Sequence, residues 1–168
     1  RVVMKKNQGF TLVELVIVIV ILGILAITAA PKFLNLAGDA KGGTLNAVKA
    51  SLQSANAVVY SKAVLAGKQA AATGTVNETG SNINVVYGYV SATTAAVGAV
   101  LDLDGNFVVA TAVANAALGM TAADVMIYPT GTTAPTTSTT AAEGCVLVYK
   151  AAAAAGSKPT YTATITGC

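Results

Sequence analysis

From Phe10 to Ala30 the chain is apolar for 21 residues, with one charge, Glu14, near the start of the run. As an α-helix this stretch is roughly 32 Å long at 1.5 Å per residue, enough to cross a hydrocarbon core of about 30 Å. Beyond Pro31 the pattern changes. Leu45, Val48, Leu52, Ala55, Val59 and Ala63 recur at spacings of three and four, while Lys49, Gln53, Asn56 and Tyr60 fall on other faces. That spacing predicts an amphipathic helix laid on a core as far as about Ala66. Taken from Phe10 as one element it is roughly 85 Å long, far more than a globular helix needs. Gly23, Pro31, Gly38 and the pair Gly42-Gly43 are its weak points.

The remainder reads as a soft, small-residue domain. Residues 67–82, "GKQAAATGTVNETGSN", have turn composition and are expected to form a loop. "INVVYGYV" at 83–90 is read as a strand or extended segment, and 93–103 as a short helix. Asp102, Asp104 and Asn106 alternate as in half a calcium loop but lack its downstream glutamate. A turn on Asp104-Gly105 before a strand is the expected reading. The Thr- and Pro-rich stretch 129–144 is expected to be a displayed loop. "CVLVY" at 145–149 and "TYTATIT" at 160–166 are β-like. If they pair as a hairpin centred near Gly156 and Ser157, positions whose numbers sum to 313 face one another, and Cys145 lies opposite Cys168. A disulfide there closes a 24-residue segment and contributes about 3 kcal/mol on the chain-entropy model.

Composition narrows the chemistry. The chain has 168 residues, 54% hydrophobic and only 10% charged, with a net charge of +3. Arg1, Lys5 and Lys6 supply that excess; beyond residue 9, seven lysines face seven acids. No clustered Lys and Arg suit a phosphate backbone, so no dedicated nucleic-acid site is expected. Histidine is absent and the two cysteines are accounted for, so no metal, cofactor or His-dependent catalytic site is expected. Lys5 and Lys6 hold their side of the apolar run in the cytoplasm and place the rest outside, where a disulfide is stable. A secretory signal peptide is the competing reading. The length of the run, Glu14 at its start and Pro31 directly after Thr28-Ala29-Ala30 weigh against it.

A lone carboxylate in an apolar run costs several kcal/mol unless something neutralises it. A short basic leader ending in Gly9, followed by Phe10-Thr11-Leu12-Val13-Glu14-Leu15 and an apolar helix, closely resembles the type IV prepilin signature. Pilins of the mannose-sensitive haemagglutinin type are the subfamily it looks most like, over about residues 4–40. The resemblance implies cleavage by a prepilin peptidase between Gly9 and Phe10, N-methylation of Phe10, and pairing of Glu14 with the N-terminal amine of a neighbouring subunit during assembly. An α-amine with a reference pKa near 8 is mostly charged at neutral pH and suits that role. The four-residue spacing of Phe10 and Glu14 also permits a pair within one chain. In that family's filaments the segment bracketed by Gly23 and Pro31 melts; a kink is the simpler alternative. Such pilins commonly carry a C-terminal disulfide loop, consistent with Cys145 and Cys168.

The expectation is therefore an α+β type IV pilin fold, a long N-terminal helix on a small antiparallel β-sheet with a disulfide-bonded C-terminal loop. Residues 1–9 are expected to be a cleaved leader, 10–31 the transmembrane and filament-core helix, 32–66 its amphipathic continuation and 67–168 a globular head. Met4 is a more natural start than Arg1. The expected function is that of a major pilin, held in the inner membrane and then displayed on the cell surface. Its partners would be identical subunits in a helical filament, the peptidase and the pilus assembly machinery. A type II secretion pseudopilin, a minor pilin and, far behind, a membrane-anchored enzyme are the alternatives.

Overall fold

A computed structural model of the chain describes residues 9–78 and 80–168, without the side chains of 31–35. Residues 1–8, the bulk of the expected leader, lie outside it. The order of elements is α1 (Leu12–Leu65), β1 (Gly74–Glu78), β2 (Ser81–Val86), β3 (Tyr89–Val90), α2 (Thr94–Val100), β4 (Phe107–Thr111), β5 (Val125–Pro129), β6 (Val146–Lys150) and β7 (Thr160–Thr164). The chain divides inside α1 into two compact units, one reaching to Ala37 and the other running from Gly38 to Cys168.

The second unit is an α+β domain whose strands form two antiparallel sheets, β1-β2-β3 and β4-β5-β6-β7. The helical face read from the sequence is the face that is buried: Leu45, Val48, Leu52, Val59 and Ala63 join Ile83, Val85 and Val90 of the first sheet and Val125, Ile127, Leu147 and Tyr149 of the second in one core. Each fully buried Leu, Ile or Val there contributes about 1.5–3 kcal/mol of transfer free energy. The second sheet is buried on both sides. Met126, Val146 and Val148 alternate with the first set and pack against Ala112, Leu118 and Met120 from the connection before β5.

Several readings are corrected. Residues 67–82 are not all loop, because Gly74–Glu78 pairs with Ser81–Val86 as a hairpin, Val76 opposite Ile83. The apolar signal there was a single inward residue, Val76, among polar ones. Asn56 is not on an outer face but is 2% exposed, inside the core. The C-terminal hairpin is in register at Val146↔Thr164 and Tyr149↔Tyr161, three positions away from the expected pairing. Its turn closes earlier, through the Ser157 N–H to the Ala154 carbonyl at 3.1 Å. The second strand also ends at Thr164 rather than 166. The stretch 83–90 is not one strand, since β2 ends at Val86, Tyr87 and Gly88 turn at positive φ, and β3 follows. The short helix read over 93–103 spans only Thr94–Val100. Thr93 caps α2 by accepting from the Ala96 N–H, and Asp104-Gly105, both at positive φ, form the turn before β4.

The Thr/Pro-rich segment is loop, but it is fastened. The buried Asn115 side chain donates to the carbonyls of Thr136 and Thr139 at 2.7 and 2.8 Å and accepts from the Leu118 N–H.

Candidate functional site: the N-terminal helix and its cap

Gly9, Phe10 and Thr11 precede α1. Thr11 is the helix cap. Its hydroxyl accepts from the Glu14 N–H at 3.3 Å, while Oε2 of Glu14 accepts from the Thr11 N–H and hydroxyl at 2.8 Å each. Thr-x-x-Glu closed in this reciprocal way is a capping box, in which each side chain satisfies a backbone donor that the first helical turn leaves free. The carboxylate also sits where the positive end of the helix dipole favours it. The spacing of Thr11 and Glu14 is itself the sequence signal of this local partner. The same spacing closes twice more, at Thr121/Asp124 and Thr140/Glu143. At the last, the Thr140 N–H and then its hydroxyl hold the Glu143 carboxyl below the usual range.

Among the described residues only one oxygen of Glu14 is engaged, leaving Oε1 able to accept from a cation. Phe10 beside it is 85% exposed. Beyond the cap, Leu12–Ala30 has mean hydropathy 3.0 and none of it is buried. Ile17, Val20 and Leu25 are each more than half exposed. A helix apolar on every side has no use for water and needs lipid or other helices around it.

Two glycines in this segment have no local justification. A side chain at Gly9 or Gly23 would meet nothing within 4 Å, and neither has positive φ. In mid-helix Gly23 costs about 0.5–1 kcal/mol relative to Ala. Pro31 lacks an N–H, so the carbonyl four residues earlier loses its helical donor. The backbone is helical through both positions, Gly23 and Pro31.

The second constellation is the C-terminal tail. Cys145 and Cys168 form a disulfide with Cα atoms 4.7 Å apart. Strand register alone does not bring them together. Instead the chain turns after Thr164, the Cys168 N–H donating to the Ile165 carbonyl, and lies back along 141–145. There the Gly167 N–H donates to the Gly144 carbonyl at 2.9 Å and the Thr166 hydroxyl to the Ala141 carbonyl. Gly167 is a close-approach glycine, since a Cβ would overlap the Glu143 carbonyl group. The tail also touches α1: Ile165 packs where a side chain at Gly42 would begin, and the Cys168 main chain does so at Gly38. Among the described residues no cluster of three potential metal ligands occurs. Asp102, Asp104 and Asn106 line a cleft beside Thr44 and Ser51.

An apolar, capped, unburied helix precedes a small disulfide-bonded domain, the pattern of a protein anchored through its N-terminal segment. The comparisons are specific. The family described as the prokaryotic N-terminal methylation motif matches residues 4–30. Over 53 residues, 32% of this chain and 46% of the relative, the chain is 45% identical to the type IV narrow pilus major component PilA5 of Thermus thermophilus. The N-terminal segment thus carries a prokaryotic methylation motif and is similar to a type IV pilus subunit. The match spans just under half the length of that relative. No solved structure matches the chain.

Proposed function

We propose that the chain is the major structural subunit of a type IV pilus, processed between Gly9 and Phe10, N-methylated on Phe10 and polymerised through α1 into an extracellular filament. It has a structural rather than catalytic role, in surface attachment, biofilm formation or motility. Residues 1–9 are its leader, 10–31 the membrane and filament-core helix, 32–66 the continuation and 67–168 the head. Lys5 and Lys6 hold the precursor's leader on the cytoplasmic side of the inner membrane. The observation that carries this reading is the apolar run Leu12–Ala30, none of it buried, capped by a carboxylate that engages only one oxygen among the described residues. Stacked against copies of itself the run is buried, and Oε1 of Glu14 receives the amine that cleavage creates on Phe10 of a neighbour. A head-to-tail contact of this kind does not close, so the assembly grows as a fibre. The similarity to a major pilus component of Thermus thermophilus supports the same role. Local melting between Gly23 and Pro31 belongs to assembly, where two weak helical positions give way most easily.

Intact mass spectrometry of sheared surface fibres tests the reading. A subunit beginning at methylated Phe10 and two hydrogens light for the disulfide is expected; fibres whose subunits retain residues 4–9 would overturn it. Glu14→Ala should leave the precursor inserted and folded but strongly reduce fibre yield. Thr11→Val, which breaks the cap and keeps the carboxylate, should reduce it far less. Equal losses in the two variants would assign Glu14 to capping alone.

A further inference from the structure

In the second unit a cleft of about 570 Å³ is lined by Gln53, Tyr60 and Ser61 of α1, Tyr89 of β3, Lys158, and Tyr161 of β7. Its size lies within the roughly 300–1,000 Å³ of small-molecule sites. The rings are held in place before any ligand arrives. Tyr60 and Tyr89 stack with centroids 4.5 Å apart and planes 18° from parallel. The φ of +85° at Gly88 makes the turn that delivers Tyr89, and a side chain at 88 would strike the Tyr60 ring at 2.9 Å. Tyr161 leans on Tyr149, centroids 5.4 Å apart. Burial raises the Tyr89 phenol and pushes Tyr161 up to about 12, so both remain proton donors at any physiological pH. Asn56, also at the cleft, is occupied with Val90 and Tyr149 and serves as its support.

The available chemistry is thus three phenol rings, one amide, one ammonium and the acceptor side of the Ser61 hydroxyl, whose proton goes to the Ala57 carbonyl at 2.9 Å. Among the described lining residues there is no carboxylate. Flat aromatic surface suits the C–H face of a pyranose, the amide and hydroxyls suit its ring hydroxyls, and the lone cation suits one carboxylate. A phosphate-rich ligand would need several cations, and a wholly apolar one would leave the donors unpaired. We propose that this cleft binds an acidic saccharide, a short oligosaccharide of uronic acids, with the sugar face on the tyrosines and its carboxylate on Lys158.

The test uses the full chain in detergent micelles with its disulfide intact, so binding is read whether or not the protein polymerises. Tetragalacturonate is titrated and followed by tyrosine fluorescence and by saturation transfer to the sugar protons. Saturable binding is expected, weakened by salt. It should be about fivefold or more weaker for neutral maltotetraose and for Lys158→Glu, an exposed position whose reversal leaves the core untouched. Lys41→Glu, remote from the cleft lining, should bind as the parent does. Absence of saturation up to about 10 mM, equal affinity for the neutral sugar, or unchanged binding in Lys158→Glu would each overturn the proposal.

Discussion

Asn56 ties three elements together from one turn of α1. Its Nδ2 donates back to the Leu52 carbonyl at 3.3 Å, and its Oδ1 accepts from the Val90 N–H at 2.9 Å and from the Tyr149 hydroxyl at 3.4 Å. The Tyr149 hydroxyl also donates to the Val90 carbonyl. Replacing Asn56 by Leu strands the Val90 N–H in the core, and a buried unpaired donor costs about 1–3 kcal/mol. A thermal melt of Asn56→Leu should fall by several degrees, and an unchanged Tm would show that the network contributes little. Burial holds the Tyr149 proton well above the ordinary phenol range. A raised native pKa means that the folded chain keeps a proton the unfolded chain releases. The contribution is therefore full below about pH 10, the ordinary tyrosine value, and is lost as pH rises beyond it. Tyr149→Phe should be less stable at neutral pH, by about 1–2 kcal/mol for the donor withdrawn from the Val90 carbonyl. It should also lose stability less steeply in alkali, as thermal melts across that range would report.

At the scale of elements, the C-terminal tail shows how one contact can be read correctly from a wrong register. Pairing 145 with 168 across a straight hairpin required the strands to run to the end; they stop at Val146↔Thr164, and a turn at 165–168 carries Cys168 back to Cys145. Periodicity locates strands that alternate between a buried and an open face. It is silent on β5, which is buried almost throughout, and weak on β1, with a single fully inward residue. β6 is as deeply buried, but its run of Val, Leu and Tyr reads as a strand by residue type. α1 was legible because its buried positions repeat over many turns. Its one misplaced residue, Asn56, is polar yet faces inward, and spacing by residue type cannot signal that. The cap at Thr11 and Glu14 is legible in their three-residue spacing. The tail predicts its own weakness at Gly167. Gly167→Ala must push the chain off the Glu143 carbonyl, losing the Gly144 hydrogen bond and straining the disulfide closure. Its cost should be among the larger single-residue effects, about 2–4 kcal/mol. Gly98→Ala, in α2 where a side chain meets nothing within 4 Å, should be neutral or slightly stabilising. Chemical denaturation of the pair, with free-thiol titration of the first, checks both.

For the whole molecule, the division inside α1 separates a unit whose apolar run is left unburied from a unit that buries its own. The second unit, residues 38–168, contains the described core residues of both clusters, the disulfide and, among the described residues, the ion pairs of Lys62 with Glu78 and Lys150 with Asp124. Nothing in Leu12–Ala30 is buried by the chain itself, so removing that run takes away no core contact. It also takes away the largest exposed apolar surface, which drives association. A chain beginning at Gly38, produced in an oxidising compartment, should therefore be monomeric without detergent and unfold cooperatively. Its Tm should lie within a few degrees of the full chain's in micelles, with no more loss than fraying of the new helix end accounts for. Size exclusion with light scattering and a thermal melt decide it. A head that aggregates, or that melts well below the full chain, would mean that the first half of α1 contributes to the fold and not only to what the fold is joined to.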